Sequence, residues 1–440
     1  MKKLLSIVLA LVFVAALCAC GNKGQTKTNE PVKAKEGTLL VGYGRVDLSP
    51  APGSSVSLVG YGGNGTPPVT MTGKLDSIYG TCVAVTDSDG ETALIYTLDT
   101  LYTLQAEVEL VREAITKKTG IAGDHVVISS THTHSSVRYQ EITDYADKMA
   151  QAAADALADR TTATVQTGST TIPNMNFVRH YYTQSGVVVG DNFSEETLKS
   201  PRVSHTTEAD PEMPMIRFVR EGDKKDVLLV NWQAHPKVAS TSETAIGREQ
   251  RSMLSADFIG FCRMQVEKNT DCLFAYYNGA SGNLNARSRL DGKNKDAPER
   301  VDLYGAKLGD YVVAALDSLK DTQAGKVSVQ QQMFSVTPAV SGAAAEMEIT
   351  AIRIGSLGFA TVPFEMFDTN GMQIKSGSDC ETTFVLTCAS MPKHEYIPSE
   401  YVWDYNTGSQ IAYELTSCTH EKGTAEKVAN ELVSMLNGLN

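Results

Sequence analysis

The segment THTHSS at 131–136 sets His132 and His134 two positions apart, directly after the β-branched run VVIS, in a chain with only 8 histidines among 440 residues. In a strand, side chains at i and i+2 share a face, so the two imidazoles would aim together. That pattern suits a metal site or a proton-transfer pair, and it equally suits two structural histidines satisfied by hydrogen bonds. His235 in NWQAHPKV follows another strand-like run and is cut off by Pro236. Loops held at strand ends are where ligating and catalytic groups concentrate, although a lone histidine there is also commonly structural. Glu365 in ATVPFEMFDTNG comes after a strand and just before a helix, where a carboxylate is also explained as a partner of the helix dipole. Tyr396 in HEYIPSEY carries no signal without its context.

The elements that must position these residues begin after a leader. Residues 1–19 have two lysines, an apolar stretch too short for an ordinary membrane span, and small residues before Cys20, which reads as an export signal. LCAC followed by Gly21 resembles a bacterial lipobox, which implies acylation of Cys20 and a membrane anchor. Residues 20–37, rich in Lys, Gly, Thr and Asn, read as a tether. The net charge of -12, with acids and bases interspersed, suits an exported protein and argues against a nucleic-acid partner. Six cysteines follow Cys20 (Cys82, Cys262, Cys272, Cys380, Cys388 and Cys418), and none forms a CxxC pair. A cysteine zinc site or a redox motif is therefore not expected, and no disulfide pairing can be deduced.

TCVAVTDSDGETALIYTLD at 81–99 predicts a hairpin around DSDG. Helices are expected at 104–120, 142–160, 255–269, 300–318 and 424–438, from apolar residues at helical spacing. Strands are expected at 125–130, 327–336, 349–354, 357–362 and 383–388, while 226–235 begins as a strand and ends in a polar turn and 272–283 is a strand running into a glycine-rich loop. No fixed-period repeat is present, so the class is α/β or α+β with a mixed sheet; between one large domain over 38–440 and two of average size, composition does not choose.

Read together, VGYGRVDLSP, LVGYGG, KLDSIYGTCVAVTDSDG, STHTHS, NWQAHP, LSADFIG, NGASGNLNA, PFEMFDTNG and YIPS follow in the order of the catalytic domain of neutral ceramidases. The chain resembles that family over nearly all of its length after the leader. The resemblance implies one zinc ion held by His132, His235, Glu365 and Tyr396, with Tyr401 as the alternative phenol. Two imidazoles, a carboxylate and a weakly bound phenol leave room for water, as a hydrolytic zinc site requires. It further implies that His134 contacts substrate or a developing oxyanion, and that Arg179 in MNFVRHYY helps hold substrate; a surface cation is the alternative for Arg179. The implied reaction is attack of zinc-bound water on an amide (N-acyl) carbonyl of a small-molecule or lipid substrate.

The chain departs from the family in three places. GNLNAR stands where the family has a loop with an active-site acid and serine, so Asn283 replaces the acid and Asn285 the serine. An asparagine can hydrogen-bond but cannot be a nucleophile. SSVR, not Ser-Gly-Pro, follows the HTH motif. The immunoglobulin-like C-terminal domain of full-length ceramidases is not expected. Two functions follow as expectations: an exported, lipid-anchored zinc amidohydrolase, or a degenerate relative that binds a ligand or metal without turnover.

Overall fold

The computed structural model describes residues 32–51, 53–60, 69–183, 186–189, 202–205, 209–240, 250–286, 300–404 and 412–439. The leader and Cys20 lie outside these residues. One compact unit spans Lys33–Asn440, and the backbone of Ala34 already hydrogen-bonds Asp87 O at 2.9 Å.

Strands β1 (Leu39–Asp47), β2 (Tyr79–Thr86) and β3 (Thr92–Leu98) are antiparallel neighbours. Helix α1 (Gln105–Thr119) then crosses to β4 (Val126–Ser130), which runs parallel to β3. Helix α2 (Tyr145–Asp159) leads into β5 (Thr161–Thr171), β6 (Glu212–Arg220) and β7 (Asp226–Trp232). Helix α3 (Phe258–Asn269) crosses to β8 (Cys272–Asn278), parallel to β7. The sheet order is β8-β7-β6-β5-β1-β2-β3-β4, with a short strand Lys320–Thr322 added to β5. After α4 (Val301–Ala315) comes a second sheet in chain order, from β9 (Val327–Ser335), β10 (Glu346–Ile354), β11 (Leu357–Thr361) and β12 (Thr382–Leu386). Helix α5 (Asp368–Gly377) lies between β11 and β12, and α6 (Thr424–Gly438) follows.

The period-2 alternation of the strands decides the layers. On β2, Cys82 and Ala84 pack with α1 and α2, while Val83 and Val85 face Phe359 and Phe384 of the second sheet. On β7, Leu228, Val230 and Trp232 face α3 and α4, while Val227 and Leu229 join the core between the sheets. Helices α5 and α6 cover the far side of the second sheet. The result is helices, sheet, sheet, helices: a mixed α/β fold, as the sequence predicts.

The large sheet curls strongly. Five strands separate β8 from β3, yet Thr97 Oγ1 donates to Tyr276 O at 2.6 Å and Tyr277 OH donates to Ile95 O at 3.1 Å. A buried ion pair strengthens this closure: Arg263 on α3 reaches Asp99, just after β3, at 2.8 Å. Two βαβ units, far apart in sheet order, thereby bring their strand ends together, the position where open α/β sheets place ligands.

The hairpin at 81–99 is present, its turn tied by Asp87 Oδ1 accepting from Asp89 N and Glu91 N. Helix α2 starts at Tyr145 instead of 142, because Ile142 ends a 3-10 turn. Strand β8 stops at Asn278, and the glycine-rich segment beyond it is a loop. Strand β5 was not expected: its threonines alternate between the two faces without an apolar run to announce them. Among the described residues the six cysteines are free, and no helix is long and apolar enough to cross a membrane.

Helix α2 sits directly on β1. A Cβ on Gly42 would lie 1.9 Å from Ala156 O, a backbone atom that cannot step aside. Gly42→Ala is therefore expected to cost at least about 2 kcal/mol in urea unfolding. Gly438→Ala, with nothing within 4 Å of its Cβ, serves as the control and should leave the midpoint nearly unchanged.

Candidate metal centre

His132 and His134 converge for a different reason from the one their spacing suggests. Strand β4 ends at Ser130, so the shared-face argument does not apply; His132 has φ +69°, a left-handed turn that a non-glycine residue adopts only when its surroundings enforce it. The turn is held by His132 N donating to Thr100 O at 3.0 Å and His134 N donating to Pro236 O at 3.0 Å. The rings end 5.0 Å apart, edge to face. His235 lies 4.8 Å from His132, and the three histidines form the group suited to a metal among the described residues.

Each of these imidazoles hands its Nδ1 proton to a backbone carbonyl. His132 reaches Leu101 O at 2.6 Å, His134 reaches Gly60 O at 3.1 Å, and His235 reaches Ser281 O at 2.8 Å and Leu284 O at 3.0 Å. That fixes the tautomer and turns Nε2 into the donor atom for a cation.

The motifs that surround the histidines act through backbone shape. Gly60, at φ +112°, lies so close to His134 that a Cβ would stand 2.8 Å from its Cα. Gly282 lets its loop pass against Glu365 and Met366, whose carbonyls would be 2.7 and 2.9 Å from a Cβ. Asp257 caps α3 and also accepts from Val238 N and Ala239 N, which fixes the turn after His235.

Glu365 completes the cluster. Its strand pair Glu365–Met366 lies parallel to Tyr396–Ile397, in register Glu365↔Tyr396. Oε2 sits 3.0 Å from His132 Nε2 and 3.1 Å from His235 Nε2, and Tyr396 OH sits 3.1 Å from His235 Nε2. Glu365 Oε2 and His132 Nε2 are buried, and neither makes a hydrogen bond despite that approach. Ligands about 2.0–2.1 Å from a tetrahedral zinc lie about 3.3 Å from one another. The donor set, its spacing and its two orphaned atoms therefore fit such an ion.

Burial would raise the Glu365 carboxyl, but His132 first, then His235 and His394, hold it well below the usual carboxylate range. Burial pushes His235 down to about 4 and His134 well below its ordinary value. Burial would also lower His132, but the Glu365 carboxylate outweighs it and raises the imidazole well above its ordinary value.

The other expected residues divide. Tyr396, not Tyr401, joins the cluster: Tyr401 OH lies 3.3 Å from Asn283 Nδ2 and 3.4 Å from His180 Nδ1. Arg179 is buried beside Tyr396, its guanidinium carbon 5.5 Å from the ring centroid. Its Nε donates to Glu414 at 2.6 Å and its Nη2 to Gly282 O at 2.7 Å, so it is not a surface cation. Asn283 turns away from the histidines to exchange hydrogen bonds with Asp368, at 2.6 and 2.9 Å. Asn285 is buried, and its backbone bridges that of His235.

One residue was missed. His394 Nε2 lies 2.7 Å from Glu365 Oε1, and its ring stacks on Tyr102 at 4.6 Å. Its only sequence signal is its place two residues before Tyr396. His134, Glu365, His394 and Tyr396 open onto a cleft of about 460 Å³, with Tyr102, Arg138 and Glu141 on its walls. A larger depression of about 640 Å³, around Asp210, Lys375 and Cys380, contains none of these residues.

No family model and no curated protein matches the chain. Among solved structures, neutral ceramidase from Pseudomonas aeruginosa is similar, with a TM-score of 0.70 and 14% identity over 92% of this chain and 75% of that one. A ceramidase complexed with C2 has a TM-score of 0.69 and 14% identity, over 91% of this chain and 75% of that one. At such identity the likeness is one of backbone architecture: the chain has the fold of neutral ceramidase.

Proposed function

We propose that the chain is a zinc-dependent hydrolase of an amide bond, exported and held at a membrane through a lipidated Cys20. The lipobox-like LCAC supports the anchor. The observation that carries the hydrolase reading is the buried convergence of His132, His235 and Glu365, which fits a cation and sits at the base of a cleft. His132, His235, Glu365 and Tyr396 would hold the ion. Zinc there would act as a Lewis acid and make water acidic enough to attack a carbonyl near neutral pH.

The remaining groups act around that centre. His394 holds Glu365 Oε1 and leaves Oε2 facing the two imidazoles. His134 lines the cleft, whereas His132 and His235 lie behind it, so His134 is placed to meet the substrate carbonyl. Arg179, locked by Glu414 and Gly282, steadies the Tyr396 ring and acts as a positioning residue. Asn285 cannot serve as a nucleophile, which leaves the attack to water.

Chelation of the full-length protein should abolish amine release from a panel of labelled acyl amides, and added zinc should restore it. His235→Ala should lose stoichiometric zinc by elemental analysis and at least about a thousandfold in kcat/KM. Hydrolysis indifferent to chelator rejects the mechanism. A ligand retained unchanged through long incubation selects the binding-only reading.

Glu414 yields a prediction in pH. Burial opposes its charge, but Arg179 and His180 hold the carboxyl down to about 2, below its ordinary 4.5. A carboxyl depressed in the folded state contributes stability that is full above 4.5 and lost as pH falls toward 2. Glu414→Gln strands the Arg179 charge and should cost about 3–5 kcal/mol at pH 6. In urea unfolding, the gap between wild type and variant should narrow at pH 3.

A further inference from the structure

The segment from Ser255 to Asp257 does not line the cleft, yet both histidine loops are tied to it. Ser255 grips the His132 turn on either side of His134: Thr133 Oγ1 donates to Ser255 O at 2.8 Å, and Ser255 N donates to Ser135 O at 2.8 Å. Two residues on, the Asp257 carboxylate accepts from Val238 N and Ala239 N at 3.2 and 2.9 Å, just beyond His235. One short segment thus sets the distance between imidazoles that arrive after β4 and after β7.

That segment has its own strained point. Asp257 has φ +56°, which a residue with a side chain adopts only when its surroundings enforce it. Ser255 Oγ helps to enforce it, accepting from Asp257 N at 2.9 Å. A serine hydroxyl has one proton to donate, and this one goes to the Asp76 carboxylate, which also accepts from Ala256 N at 3.3 Å. Asp76 therefore gives the Ser255 hydroxyl a fixed direction.

A short parallel run brings Asp76 there. Thr72 N donates to Ser252 O at 2.8 Å and Leu75 N to Leu254 O at 2.9 Å. Gly260, in the first turn of α3, clears the space: a Cβ on it would lie 1.9 Å from Asp76 Oδ2. The carboxyl itself weakens the fold. Burial pushes it up to about 7 from an ordinary 3.8, with Ser255 and Arg263 opposing the rise and Asp99 adding to it. A carboxyl raised on folding takes stability away as pH climbs from 3.8 to about 7. A group held at such a cost points to a task other than stabilising the fold.

We infer, resting on the metal-centre reading above, that Asp76 is a positioning residue for that centre: it orients the Ser255 hydroxyl, and through Ser255 and Asp257 it holds the two histidine loops at the spacing one ion requires.

The test uses the full chain and three variants. In Asp76→Ala and Ser255→Ala, zinc affinity measured by competition with a chromogenic chelator is expected to fall at least about tenfold. Gly42→Ala, which disturbs the packing of α2 on β1 away from the clamp, should leave that affinity nearly unchanged although it lowers stability. In hydrogen-exchange mass spectrometry of the metal-free chain, peptides covering 131–136 and 236–240 should both lose protection in the two clamp variants, while 424–438 keeps its own. Unchanged zinc affinity in Asp76→Ala, an equal loss in Gly42→Ala, or protection lost in only one loop or throughout the chain overturns the inference. Ser255→Ala removes the same hydroxyl bridge but keeps both backbone bonds of Ser255 to the histidine turn, so it decides the question should Asp76→Ala fail to fold. A wild-type chain that binds no zinc overturns the metal reading instead. The exchange pattern then still judges whether Asp76 holds the two loops together: joint loosening supports the role, and unchanged protection overturns it.

Discussion

A buried carboxylate facing imidazole nitrogens at about 3 Å is the constraint on which the rest of this structure turns. Taking Glu365 out of water is unfavourable unless positive charge or a cation replaces the lost solvation. Here His132, His235 and His394 surround it at 3.0, 3.1 and 2.7 Å, an arrangement that a cation between them would satisfy. The arrangement holds only if the rings cannot swing away. Backbone carbonyls at Leu101, Gly60, Ser281 and Leu284 fix the three histidines of the cluster from behind. The fold is, in this sense, a device for presenting carbonyls from three separate segments to histidines from two.

Curling of the large sheet makes this possible. His132 follows β4 at one edge and His235 follows β7 near the other, and only closure of β8 onto β3 brings their loops within a ring diameter. The Arg263–Asp99 pair spans the same gap from the helical side. Asn231 extends the link to the second sheet, donating to Tyr277 O and Val385 O and accepting from Val385 N. Buried polar groups that are fully satisfied in this way select one arrangement of layers over others.

A second buried charge system supports the phenol. Glu414 binds Arg179 and His180, and Arg179 lies against the faces of Tyr396 and Tyr413. Asn283, where the family resemblance leads one to expect an acid, ties its loop to the start of α5 through Asp368. Its amide serves the scaffold. The loss of a carboxylate there therefore removes no group from the cluster around Glu365.

Much of this was legible in the sequence wherever the signal is local. The hairpin at 81–99, the helices α1 and α6, and the placement of His132 and His235 just beyond strands follow from side-chain period and turn residues over a few positions. The order of motifs was enough to indicate the fold. Tertiary structure alone decided how the histidines converge: through the left-handed turn at His132, not through a shared strand face. It alone chose Tyr396 over Tyr401, because the choice rests on a two-residue parallel pairing with Glu365 across thirty positions of chain. It alone revealed His394, whose partner and stacking surface come from distant segments. Local sequence encodes the period of each element, but which loops meet depends on how far a sheet curls, and that is a property of all its strands at once.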